Sequence, residues 1–205
     1  MGFHKGRLNV RRYRVLEPVP DGFRDRFEAA LTGQCFRDTA TLSRGEETLG
    51  WVCQDNIMDT GFSDRNRWLF DHYLLLCMRV DQKVLPAPLF RAMVDKRVEA
   101  WCRENQKEVA PSAVRTDIRS AVEADLMART LPRVRVVHAA WHLAEGWLLV
   151  HNTTDKLNDR FRTLFRTTFG QVPEPFSPVD FLDDAPGLAA DLSSAGTTDF
   201  TVGVP

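Results

Sequence analysis

The 205-residue chain contains no run of about 18 apolar residues, so no membrane-spanning helix is expected. Its opening residues, Met1 to Arg7, lack the apolar run and small-residue cleavage site of a signal peptide. A cytoplasmic location is the default expectation. Cysteine is scarce: Cys35, Cys53, Cys77 and Cys102 are widely spaced and form no CxxC pair, which argues against a zinc site. A disulfide has no support in a reducing compartment. Cys77 and Cys102 fall in apolar patterns and read as small core residues. No nucleophile elbow, phosphate loop or dinucleotide fingerprint is present. His138 and His142 lie four residues apart on an expected strand, roughly 13 Å, too far to share one metal; His72 and His151 lie elsewhere. The acids of the 55–67 loop lack the spacing and closing Glu of an EF-hand, so a plain surface loop is expected. These absences weigh against an enzyme and leave no expected cofactor or metal.

Positive charge is also missing, but only from one end. All 27 Lys and Arg residues lie at or before Arg166, whereas Glu174, Asp180, Asp183, Asp184, Asp191 and Asp199 follow it. Residues 1–169 therefore carry a net +5 and the remainder −6. With 43% hydrophobic residues the chain can bury a core in one domain. Residues 1–173 are expected to form it, and residues 174–205, rich in Pro, Gly, Ser and Asp, to be a flexible acidic tail.

Within the body, residues 7–16 read as a first strand with arginine on both faces. Asp21 is placed to cap a helix whose apolar face is Phe23, Phe27, Ala30 and Leu31. Residues 48–53 read as a short strand, and 68–83 as a long one that runs out through charge to Pro86. Phe90, Val94, Val98 and Trp101 mark one amphipathic helix; Val114, Ile118, Val122 and Leu126 mark a second. A hairpin of 133–140 and 146–150 turns at Ala144-Glu145-Gly146. A last helix carries Leu157, Phe161, Leu164 and Phe165 on one side and ends at Gly170. Strands joined by hairpins, with helices between, imply an α+β fold: an antiparallel sheet with helices mainly on one face.

Four basic segments stand out as candidates for phosphate contact: Arg11 and Arg14 (with Lys5, Arg7 and Arg12) on the first strand; Arg79 and Lys83 on the long strand; Arg129, Arg133 and Arg135; and Lys156, Arg160, Arg162 and Arg166 on the last helix. Arg79 and Lys83 have the same parity and share a face if the strand is regular. Edge protection by charge is the ordinary explanation for any single arginine; the clustering is what points to a polyanion. Among the tryptophans, Trp141 and Trp147, beside a turn, are the two worth testing as base-stacking residues.

Several blocks follow in a fixed order along the chain: Tyr13-Arg14, Gly50-Trp51-Val52, Arg79-Val80-Asp81-Gln82-Lys83-Val84-Leu85-Pro86, the arginines Arg129 and Arg133, the turn glycine Gly146, and Lys156, Leu164, Arg166, Gly170 and Pro173. Together they resemble the RdgC family of bacterial recombination-associated DNA-binding proteins. The likeness covers about residues 6–173. It implies an RdgC-like fold, binding to double-stranded DNA without sequence preference, a homodimer with a positively charged inner surface, nucleoid association and restriction of RecA's access to DNA. A label of exonuclease also travels with the family, but phosphodiester hydrolysis generally needs metal ions or an equivalent clamp, and no such residue cluster is legible here. In place of the family's lysine-rich turn stands Glu108-Val109-Ala110-Pro111, and its Pro-Arg-Ala-Phe segment is Ala128-Arg129-Thr130-Leu131. The family's further C-terminal region has only the acidic segment in its place, so a short form is expected. The alternative is a protein-interaction module that kept this scaffold but lost the encirclement of DNA. A fold-back of the acidic tail onto the basic body, in competition with DNA, is a further expectation.

Overall fold

Two ten-residue strands, β4 (Tyr73–Gln82) and β5 (Arg133–His142), pair antiparallel over their whole length, from Tyr73 opposite His142 to Gln82 opposite Arg133. Alternation of Leu74, Leu76, Met78 and Val80 on β4 with Val137, Ala139 and Trp141 on β5 gives this pair one continuous apolar face, as the two-residue strand period requires. On the β5 side follow β6 (Trp147–Val150), β1 (Arg11–Arg14) and β7 (Glu174–Pro175). On the outer edge of β4 lie β2 (Glu47–Trp51) and β3 (Leu69–Phe70), end to end. The sheet has seven strands in the order β2-β4-β5-β6-β1-β7, with β3 beside β4, and every pairing is antiparallel. The helices are α1 (Phe23–Gly33), α2 (Ala87–Glu104), α3 (Ser112–Arg129), α4 (Asp155–Phe169) and α5 (Pro186–Ser194). The architecture is α+β, as expected. This computed structural model describes residues 9–38, 45–176 and 186–194; Lys5, Arg7 and the tail acids Asp180, Asp183, Asp184 and Asp199 lie outside the described residues.

The core forms where α1 and α4 lay their apolar sides on one face of the sheet, called here the helix face. Phe27 and Leu31 of α1 and Leu157, Phe161, Leu164 and Phe165 of α4 join the inward residues of β1, β2, β4, β5 and β6 in a single cluster. Its centre is aromatic: Trp141 lies 5.7 Å from Phe27 and 5.1 Å from Phe165, and Trp51 lies 5.6 Å from Phe161, centre to centre. Each such side chain stabilises the fold by roughly 1.5–3 kcal/mol through burial. Of the polar atoms carried inward, the Trp141 indole N–H is buried without a hydrogen-bond partner among the described residues, whereas others are satisfied. The Trp51 indole donates to the Thr168 hydroxyl at 2.7 Å, and the Tyr13 hydroxyl donates to Asn158 Oδ1 at 3.0 Å. Asn158, itself 1% exposed, donates in turn to the Asn152 and Thr154 carbonyls and so closes the start of α4 onto β1.

Two glycines are dictated by close approach. A Cβ on Gly50 would lie 2.5 Å from the Phe36 backbone, and one on Gly146 would lie 2.5 Å from the Val15 carbonyl oxygen. Gly146 also has φ +73°, a conformation that costs little only without a Cβ.

Two details depart from expectation, and two more were not foreseen. Residues 68–83 are not one strand: the chain turns at Asp71, which takes φ 52°, and His72, making a β3–β4 hairpin. Asp tolerates this left-handed conformation, but Asp-His is a weaker turn signal than Asn-Gly. Asp21 does not cap α1; Gly22 occupies that position in a left-handed conformation with no side-chain hydrogen bond. Strand pairing continues just past Pro173. Glu174 and Pro175 pair with Arg14 and Tyr13, Phe176 N–H donates to the Arg12 carbonyl at 3.0 Å, and 186–194 is helical. Finally, α2 and α3 do not join the main core. Inserted between β4 and β5, they pack on each other around Leu85, Phe90, Val122, Leu126 and Met127, a separate small core. Each helix has 18 residues, so this hairpin is about 27 Å long.

Candidate nucleic-acid interface

Arg79 lies on the face away from α1 and α4, the open face, next to Asp81. Its Nε and Nη2 donate to the two Asp81 carboxylate oxygens at 2.9 and 2.6 Å. Nη1 donates to the Ile57 carbonyl at 3.2 Å, and the guanidinium lies 4.3 Å from the Phe36 ring centre. Arg79 is 7% exposed and Asp81 2%. The pair is a buried, bidentate salt bridge, and the hydrogen bonds that Arg79 donates to Asp81 hold the guanidinium still more firmly protonated. The reading of Arg79 and Lys83 as two cations on one face is corrected accordingly. Arg79 shares its face with a carboxylate and presents no charge to solvent. Lys83 lies past the last residue of β4, half-buried, and its Nζ donates to the Met127 carbonyl at 3.0 Å. A lysine there satisfies a carbonyl in the last turn of α3. Both cations tie the helical hairpin and a loop to the sheet.

A different group converges on the helix face. Arg133 and Arg135 share parity with Val137 and Trp141 on β5 and so point to the α4 side, beyond the core. In the register, Arg135 stands opposite Val80, which stands opposite Leu49 on β2; Arg133, Gln82 and Glu47 form the neighbouring row. With strands about 4.8 Å apart, Arg135 is two strands, about 10 Å, from Leu49. Leu49 lines an open groove of about 430 Å³ together with Lys156, Arg160, Asp159 and Thr163 of α4. Arg160 is ion-paired with Glu47. Arg133, Arg135 and Lys156 have no ion pair among the described residues. Tertiary structure thus brings β5 and α4 cations, more than 20 positions apart in sequence, to one end of one face.

The remaining candidates are dispersed. Arg11 reaches the start of α4, where it pairs with Asp155 at 2.6 Å and donates to the Thr153 carbonyl at 2.8 Å. Arg162 donates to the Pro173 carbonyl at 3.0 Å and lies over the Tyr13 ring. Arg160 and Arg162 are two residues apart on a helix, hence about 200° apart, so the expected single cationic side of α4 divides into two flanks. Arg166 is exposed. Arg14, on the open face, stands opposite Trp147. Arg129, exposed, borders a hollow of about 220 Å³ that also contains Asp38, Asp81 and Lys83.

Of the two tryptophans singled out, Trp141 is 1% exposed and belongs to the core. Trp147 is half-buried on the open face against His142 and Tyr73, a grouping that sequence spacing did not disclose. Among the described residues no three His, Cys, Asp or Glu side chains are placed to hold a metal ion. The loop acids instead serve Arg67 and the backbone: Asp55 and Asp59 both accept from the Arg67 guanidinium, and Asp59 also accepts the Gly61 N–H at 2.8 Å. No helix among the described residues is long and apolar enough to cross a membrane.

A family model described as "Putative exonuclease, RdgC" matches residues 8–185, nearly the whole described body. The chain belongs to the RdgC family. Curated relatives named "Recombination-associated protein RdgC", from Neisseria gonorrhoeae and from Neisseria meningitidis serogroup B, are each 23% identical to it over 122 residues. That stretch is 60% of this chain and 40% of theirs, so the match spans well under half the length of those relatives. The family is thus known both by an exonuclease description and by association with recombination. The matched span contains every basic segment described above, apart from Lys5 and Arg7 of the first.

Proposed function

We propose that this RdgC-family chain binds double-stranded DNA without sequence preference, through phosphates, using the helix-face surface around Arg133, Arg135 and Lys156. The observation that carries this reading is the convergence of β5 and α4 cations beside the open groove at Leu49. Arginine predominates there, which suits bidentate phosphate contact. Backbone contacts carry no base information, so lack of sequence preference follows from the residue types. Arg129 and Arg166, both exposed, extend the reach of the surface, whereas Arg79, Lys83, Arg11 and Arg162 hold the scaffold. On this reading the protein works as a cytoplasmic, nucleoid-associated homodimer that limits RecA's access to DNA and does not cleave it.

Binding of a labelled duplex across a range of salt concentrations tests the proposal. Neutralising several phosphates releases counterions, so affinity should fall steeply between low and physiological salt. A flat dependence rejects the duplex reading and favours the protein-interaction module, for which the α2–α3 hairpin exposes Leu89 and Leu131 at its base and Val109 at its far end.

A further inference from the structure

The open face carries a feature that duplex binding does not use. Arg14 stands opposite Trp147, and Tyr73 opposite His142, so neighbouring strands bring these residues into one row across the sheet. The His142 and Trp147 rings stack with centres 5.1 Å apart and planes 18° apart. Tyr73 sets its edge against both, at 4.9 and 5.6 Å. The indole is fixed by hydrogen bonds as well as by stacking. Trp147 Nε1 donates to the Glu145 carboxylate at 2.6 Å, and the Glu145 backbone N–H donates to His142 Nδ1 at 3.0 Å. Beside Trp147, toward β1, a cavity of about 400 Å³ is lined by Arg12, Tyr13, Glu145, Trp147, Leu149 and Phe176. Its walls are apolar and aromatic, and its charged groups are one exposed arginine and one carboxylate.

An immobilised indole beside an apolar cavity, with a cation and a carboxylate at its rim, matches the parts of one nucleotide. The π-face of a base stacks on the indole, its ring or amino N–H groups donate to the carboxylate, and its phosphate meets the guanidinium. Glu145 repels phosphate, so the phosphate belongs on the Arg12 side. Paired bases in a duplex cannot enter such a cavity; a base must be unpaired or turned out of the stack. We propose that this cavity accepts one unpaired base of a single-stranded nucleic acid, stacked on Trp147 with its phosphate at Arg12. This surface lies on the opposite face from the duplex surface, and the two readings stand or fall separately.

The test compares the full chain with Trp147→Leu, Trp147→Phe and Arg12→Ala variants. Each is titrated with a short labelled oligothymidine, an abasic strand of equal length and a short duplex. Oligothymidine binding is expected to weaken about tenfold in Trp147→Leu and to survive largely in Trp147→Phe, which keeps a stacking ring. Arg12→Ala weakens it too. The abasic strand should bind more weakly than oligothymidine and not respond to Trp147→Leu. Duplex affinity should remain unchanged in all three variants, which also reports that the fold is intact. Unchanged oligothymidine affinity in Trp147→Leu, or abasic binding as tight as oligothymidine, overturns the proposal. Should Trp147→Leu disturb the fold, Trp147→Phe decides: loss of oligothymidine binding with duplex binding retained counts against base stacking. If Trp147→Leu alters the mass of the assembled protein but not its affinity for strands, the face belongs to a second copy of the chain and the proposal fails.

Discussion

Arg79 and Asp81 illustrate how a residue's chemistry depends on its neighbours rather than on its own charge. Removing the guanidinium would leave the Asp81 carboxylate, 2% exposed, without its cation. Arg79→Ala should therefore destabilise the fold by about 3–5 kcal/mol, read as a shift in the urea unfolding midpoint. Had Arg79 been a phosphate contact instead, the substitution would cost DNA affinity and leave stability nearly untouched. Asp59 offers a residue-scale test in pH. The Gly61 N–H and then the Arg67 guanidinium hold its carboxyl below the ordinary value of 3.8. A lowered folded pKa contributes stability above the unfolded value, lost as pH falls through the folded value. The Gly61 amide resonance should accordingly stay constant down to the ordinary Asp range and shift only below it. A midpoint at or above 3.8 would remove Asp59 from the loop's supports. Cys77, 1% exposed, has its thiol pushed up to about 12 by burial, in keeping with its reading as a core residue.

At the scale of elements, the α2–α3 hairpin is an insertion in a sheet that does not need it. β4 and β5 pair up to Gln82 opposite Arg133, so the two strand ends meet at the base of the hairpin. The hairpin's own core of five buried residues is separate from the main cluster. Replacing residues 83–132 with a short turn should leave the sheet folded, with the near-ultraviolet circular dichroism of buried Trp51, Trp68 and Trp141 retained. Loss of that signal would mean that Lys83, Leu85 and the hairpin core hold the sheet together. The amphipathic periods of α2, α3 and α4 were plain in the sequence, because a helix facing a single partner must repeat its apolar residues at its own pitch. The Asp71 turn was not: apolar residues flank Asp71-His72 on both sides, and only the pairing of Leu69 with Leu74 reveals the reversal.

For the molecule as a whole, the net charge of the body says less than its distribution. Several arginines are consumed by scaffold contacts to Asp81, Asp155, Glu47 and backbone carbonyls. On the proposed reading, what remains for DNA is Arg133, Arg135 and Lys156 on the helix face. Reversing Arg133, Arg135 and Lys156 to Glu should reduce the salt slope of duplex binding by about 1 for each cation removed, with folding unaffected because all three are exposed or half-buried and unpaired among the described residues. A slope equal to the parent's would place the DNA elsewhere on the protein.

The sequence by itself determined the class of fold, helices α1 to α4 and most strands, and the family, because periodicity and local turn chemistry are properties of neighbouring residues. Gly146 and Gly170 marked a turn and a helix end correctly, and both adopt the left-handed conformation. Which cations act together was decided only in three dimensions. Arg79 and Lys83 are four residues apart, yet one is locked to Asp81 and the other to the Met127 carbonyl. Arg135 and Lys156 are distant in sequence, yet sheet register and the docking of α4 bring them to one end of the helix face. Charge acts through space, and its partners are set by register and packing, neither of which a linear spacing contains.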